Sequence, residues 1–148
     1  MVAVMNTDPA LIEEICQKAS VKGVVTPANY NTPAQIVIGG EVEAVDYAVE
    51  LLQEAGAKRL IPLNVSGPFH TALLASASEK LATELEKVTF KDFILPLVGN
   101  TEAQIMKSDE IKTLLARQVM EPVRFYDSIA TIQEFGVDEV VEIGPGKV

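Results

Sequence analysis

Cysteine and histidine each occur once in this 148-residue sequence, as Cys16 and His70, and that scarcity excludes two classes at the outset. One cysteine cannot build an intrachain disulfide framework, and one histidine leaves no credible zinc constellation. Basic side chains are also few, twelve against twenty-one acidic, which gives a net charge of -9. Nucleic acid and anionic membrane both reward basic clusters, so neither is expected as a partner. No apolar run is long enough to span a bilayer, and no basic-then-apolar signal segment opens the sequence. The expected compartment is the cytosol.

What the sequence does contain is ordinary in bulk: 48% hydrophobic and 22% charged residues, the balance of a packed protein rather than a disordered one. Its length allows one ordinary domain or two small ones. Attention falls on Val65-Ser66-Gly67-Pro68-Phe69-His70. This stretch joins a run that reads as strand, Lys58 to Val65, to an amphipathic helix expected to open at Thr71. A histidine at such a junction can face a cleft and exchange a proton near neutral pH. It can equally cap a helix or sit satisfied against the core.

In chain order, Met1 to Met5 is a short apolar run. Asp8 followed by Pro9 is a helix start, with Glu13 and Glu14 adding negative charge to the first turns. Leu11, Ile12, Ile15, Cys16 and Ala19 recur on one helical face, so Cys16 reads as a small core residue rather than a nucleophile. Residues 26–33 hold two prolines and two asparagines and are expected to be mostly turn. Gln35 to Ile38 is a strand ended by Gly39-Gly40. Val42, Val45, Val49 and Leu52 signal a helix from Glu41 to Ala55, and Ile61, Leu63 and Val65 alternate as a last strand. The order strand, helix, strand, strand, helix, strand is the split βαβ, or ferredoxin-like, arrangement. That fold carries many unrelated functions.

Residues 66–148 differ in kind. A helix from Thr71 is expected to turn Leu73, Leu74, Ala77, Leu81 and Leu85 inward. Ile94 to Val98 is an apolar run closing at Gly99-Asn100, and Ser108 starts a further helix with Asp109 and Glu110 in its first turn. Gln118 falls seven residues after Ile111 on the apolar side, as either a structural clamp or part of a polar site. After Pro122 a helix carries Ile129 and Ile132 to Gly136, Glu139 to Ile143 reads as strand, and Gly144-Pro145-Gly146 as a tight turn. Two plausible strands for three helices leave apolar faces without partners, so this part is expected to belong to a larger fold.

Four blocks then make a pattern: Pro27-Ala28-Asn29-Tyr30-Asn31-Thr32-Pro33-Ala34-Gln35-Ile36-Val37-Ile38-Gly39-Gly40; Ala57-Lys58-Arg59 with the stretch ending in Phe69-His70; Arg117-Gln118 ahead of Glu121-Pro122-Val123; and Glu142-Ile143-Gly144-Pro145-Gly146-Lys147-Val148. In order and spacing they resemble the malonyl-CoA:acyl carrier protein transacylases. The resemblance implies an α/β fold with a ferredoxin-like βαββαβ subdomain, residues 1–65, and residues 66–148 as an incomplete part of an α/β-hydrolase-like core. It implies malonyl transfer from coenzyme A to a serine, then to the phosphopantetheine thiol of acyl carrier protein, with no bound cofactor.

On the same resemblance His70 is the catalytic acid and base, and the backbone carbonyl of Gln118 orients it. Asn29 faces the acyl group, Asn31 and Gln35 are weaker candidates in the same loop, and Phe69 restricts the acyl unit to malonyl. Turn chemistry accounts equally well for the loop asparagines. The Gly-x-Ser-x-Gly elbow is absent, and so are the family's arginine for the malonyl carboxylate and its glycine- and glutamine-rich segment. Arg117 is not that arginine, since one helical step turns it about 100° from Gln118. Ser66, Ser76 and Ser78 lack a strained elbow and are not expected to be nucleophiles. Three readings stand: a C-terminal portion of a malonyltransferase inactive without its upstream half, a non-catalytic module that binds a small acid or a carrier protein, or an inert fragment.

Overall fold

The structure, a computed structural model, describes residues 1–144. The block that begins at Glu142 therefore runs out of the described residues, and so does the turn expected at Gly144-Pro145-Gly146.

Four strands form one antiparallel sheet in the order β2-β3-β1-β4: β1 (Val2–Met5), β2 (Val25–Thr32), β3 (Gln35–Gly40) and β4 (Arg59–Pro62). The register sets Ala3 opposite Val37 on one side and Ile61 on the other. With α1 (Pro9–Ala19) and α2 (Val42–Glu54) between the strands, this is the ferredoxin-like order expected. Asp8 caps α1 with one carboxylate oxygen, which accepts from the amides of Ala10 and Leu11, and Pro9 takes the first helical position.

The core lies between the two helices and one face of the sheet. Ile12, Ile15, Cys16 and Ala19 from α1 meet Val4, Ile36 and Ile38 from the strands. From α2 the buried residues are Ala44, Val45, Ala48 and Leu52. Val45 and Leu52 of the expected stripe are buried, but Val42 is exposed and Val49 only half-buried, because small alanines let α2 pack closely beside α1. Burial, with Glu13 adding to it, pushes the Cys16 thiol up to about 12. It remains a neutral core group at physiological pH.

Residues 26–33 are not mostly turn; all but Pro33 lie in β2, and the turn is confined to Pro33 and Ala34. An edge strand tolerates proline, and register shifts at Pro27/Asn29 and Tyr30/Thr32 absorb the irregular residues as bulges. β4 is shorter than expected and stops at Pro62.

After β4 come α3 (Ala75–Leu85), α4 (Ile111–Gln118) and α5 (Phe125–Glu134), with a small cluster of Met106, Ile111 and Leu114. The helix expected from Thr71 opens instead as a 3-10 turn over Ala72–Leu74, and α3 buries Ser78 and Leu85 while Leu73 and Ala77 are exposed. Ser108 does not cap α4. Its hydroxyl donates to Asp92 (2.8 Å), and the helix begins three residues later.

Ile94 to Val98 and Glu139 to Ile143 are not strands in these residues. Val98 makes one isolated bridge to Ile105, while Ile94 and Ile143 are 97% and 93% exposed. A strand exists by pairing, and among the described residues none lies alongside these runs.

Candidate active site

The last turn of α4 determines where His70 sits. Helix C-termini leave carbonyls short of intrahelical partners, and here the four from Ala116 to Val119 find others. Ala116 O accepts the buried Ser78 hydroxyl of α3 at 2.6 Å. Arg117 O accepts the amides of Met120 and Glu121. Gln118 O lies 2.8 Å from His70 Nδ1, and Val119 O accepts the His70 amide at 3.3 Å. Two successive carbonyls thus hold the ring and the backbone of one residue.

A carbonyl oxygen only accepts, so Nδ1 carries the proton and Nε2 carries the lone pair. In the neutral ring Nε2 is thereby the nitrogen left to accept a hydrogen bond. His70 also takes φ 59°, the left-handed region that costs a residue with a Cβ about 1–3 kcal/mol and that recurs where function requires it. Thr71 secures the turn: its fully buried hydroxyl donates back to Pro68 O (2.7 Å), closing a loop around His70. Thr71 packs on the second face of the sheet, where a Cβ on Gly39 would come within 3.3 Å of its methyl group. Ala3 and Val37 share that face with Gly39 by strand alternation.

A second tie crosses from β2. Val123, just past α4, accepts from the Tyr30 amide (2.8 Å) and donates to Ala28 O (2.9 Å), making a parallel bridge at Asn29. The strand that carries Asn29 is therefore joined to the segment that follows the His70 cradle. Tyr30 is held further by its hydroxyl, which donates to Glu13 (2.7 Å), and by Arg124 over its ring. Burial first, then Glu13, raises the tyrosine pKa.

Of the expected site residues, His70 and the Gln118 carbonyl are in direct contact. Gln118 makes that contact through its backbone, while its half-buried side chain lines a small hollow with Met106, Leu114 and Leu115. Asn29 is half-buried in β2 and Phe69 is exposed beside His70. Asn31 donates to Gln35 at 3.4 Å, and both face a separate hollow shared with Phe125 and Glu142. Ser66 and Ser76 are exposed, and Ser78 is occupied by Ala116 O. Sequence reasoning missed Val119, Ser78 and Val123. The first two were open to a count of the helix-end carbonyls that need donors.

A family model described as "Acyl transferase domain" matches residues 1–147. The chain belongs to that family. It is 42% identical over 149 residues to the malonyl CoA-acyl carrier protein transacylase of Escherichia coli K12, an alignment covering 100% of this chain and 48% of that protein. A crystal structure of MCAT from Streptococcus pneumoniae is 70% identical, with a TM-score of 0.97 over 99% of this chain and 48% of the other. A structure of a type II PKS acyl-carrier protein in complex with its malonyl-transacylase aligns at 39% identity and a TM-score of 0.94, over 98% and 47%. The chain spans about half the length of the curated relatives it matches. Among the described residues no helix is long and apolar enough to cross a membrane.

Proposed function

We propose that the chain is the C-terminal portion of a malonyl-CoA:acyl carrier protein S-malonyltransferase, with residues 1–65 as its small subdomain and residues 66–148 as part of its large one. The observation that carries this reading is the 2.8 Å contact between His70 Nδ1 and Gln118 O, which leaves Nε2 free to accept a proton. A serine outside these 148 residues supplies the nucleophile. Nε2 takes its hydroxyl proton as the oxygen attacks the thioester carbonyl, and returns that proton to the departing thiolate of coenzyme A. The carrier-protein thiol then gives its proton to Nε2, attacks the ester, and the serine oxygen recovers the proton as it leaves. The Gln118 carbonyl stabilises the imidazolium in both halves, as a carboxylate does in a serine triad. No cofactor enters these steps.

Asn29, with Asn31 as a second candidate, lies toward the acyl group in this reading, and Phe69 sets a steric limit beside the base. The names of the relatives support the two substrates, malonyl-CoA and acyl carrier protein. Ile94, Leu95, Val140 and Ile143 are bare apolar residues, and in this reading the upstream half covers them. The cytoplasm, where both substrates would be met, is the compartment this reading implies.

The test is steady-state transfer by the chain joined to its upstream half, varying malonyl-CoA at several levels of carrier protein. Parallel double-reciprocal lines are expected of a ping-pong reaction. Intersecting lines would mean direct transfer in a ternary complex and would remove the acyl-serine.

A further inference from the structure

The two carbonyls that hold His70 belong to the end of a helix, where backbone frays unless something fixes it. Ser78 holds Ala116 O just before them, and one further side chain spans the carbonyls themselves. Arg117 Nε and Nη2 donate to the two carboxylate oxygens of Glu121 at 2.8 and 2.9 Å, a bidentate pair that spans Gln118 and Val119. Arg117 Nη1 reaches Glu102 at 2.6 Å. Glu102 stands on a tight loop: Ala103 donates to Gly99 O (2.9 Å), Thr131 of α5 donates to Ala103 O (2.6 Å), and Arg124 donates to Asn100 O (2.9 Å). The guanidinium therefore spans the segment that presents both carbonyls and ties it to a second anchored loop. Planar, bidentate geometry fixes orientation in a way a point charge does not.

We propose that Arg117, clasped by Glu121 and Glu102, is a positioning residue that holds the Gln118 and Val119 carbonyls on His70 and thereby keeps the imidazole in its Nδ1–H form. The hydrogen bonds of the Arg117 guanidinium go to Glu121 and Glu102, so its part is to position and not to react. The proposal rests on the reading of His70 as acid and base, and it adds that the orienting carbonyl needs an orienter of its own.

The test uses the complete protein, with the upstream half in place and its histidine rings labelled with 15N. In the parent protein the His70 signal is expected to show a protonated, slowly exchanging Nδ1. Arg117→Ala is expected to give mixed tautomers and fast exchange at that nitrogen. It is also expected to lower kcat on the order of 10²-fold with KM for malonyl-CoA unchanged, the scale of a catalytic group displaced by about 1 Å. Arg117→Lys restores only part of both, since one ammonium cannot fork. Glu102→Gln weakens one arm from an exposed loop without altering α4, and a smaller change in the same direction is expected.

An unchanged Nδ1–H signal and unchanged kcat in both Arg117→Ala and Glu102→Gln would overturn the proposal. If His70→Ala were to leave transfer intact, the reading of His70 would fall, and the ring signal in Arg117→Ala would still decide whether the clasp sets the tautomer.

Discussion

His70→Ala, in the chain joined to its upstream half, is expected to lower malonyl transfer by roughly 10²–10⁴-fold, the usual cost of losing general acid–base help. The reason lies in the cradle. With Nδ1 committed to Gln118 O, the ring has one free nitrogen and one tautomer, and no second histidine occurs within these 148 residues. The substitution also removes an imidazole from a residue held at positive φ, where alanine is no easier to accommodate. His70→Asn is the useful companion, because asparagine tolerates the left-handed region and can hydrogen-bond the carbonyl but cannot act as a base at neutral pH. Both variants are expected to lose activity to a similar extent while keeping the parent unfolding midpoint. Transfer at the parent rate in either would sink the assignment.

Leu52→Ala is expected to destabilise the protein by about 2–5 kcal/mol, read as a lower denaturant midpoint at unchanged slope. Leu52 is fully buried in the last turn of α2, within the cluster formed by α1, α2 and the inner face of the sheet. The surrounding strands are locked by three antiparallel ladders, so the space left behind cannot close by a shift of one side chain. The effect should reach the site only indirectly, through the sheet whose second face meets Thr71. A loss below about 0.5 kcal/mol, the range of surface substitutions, would mean that Leu52 is not a core residue.

How far the sequence is readable follows from where each signal originates. The Asp8-Pro9 start and the Ile12, Ile15, Cys16, Ala19 stripe are local, so α1 stands where periodicity puts it. The α2 face is half right: Val45 and Leu52 are buried as expected, whereas Val42 and Val49 give way to Ala44 and Ala48, which close packing selects. Residues 26–33 look like turn by composition, yet they pair with β3 on one side and Val123 on the other. Pairing is a property of neighbours, which composition does not carry. The same argument in reverse explains Ile94 to Val98 and Glu139 to Ile143, which have strand composition and no strand beside them among the described residues.

The site divides in the same way. His70 and Gln118 are 48 residues apart, and no spacing rule links them. The family resemblance paired them, and the contact itself is a matter of helix-end geometry. Residue type gave no hint of the Val119 carbonyl, since any residue there would offer the same oxygen. One helical step sets Arg117 apart from Gln118 in the sequence, but its clasp with Glu121 and Glu102 depends on the fold of the 99–106 loop.

The central claim is that transfer passes through a malonyl ester on a serine outside residues 1–148, with His70 as the base. The most direct test is to mix the complete protein with malonyl-CoA in the absence of carrier protein, quench rapidly, and locate the adduct by peptide mass. The account predicts one malonyl group on a serine upstream of Met1, forming at least on the order of 10² more slowly in His70→Ala. An adduct on Ser66, Ser76 or Ser78, or carrier-protein malonylation with no adduct at all, would contradict it.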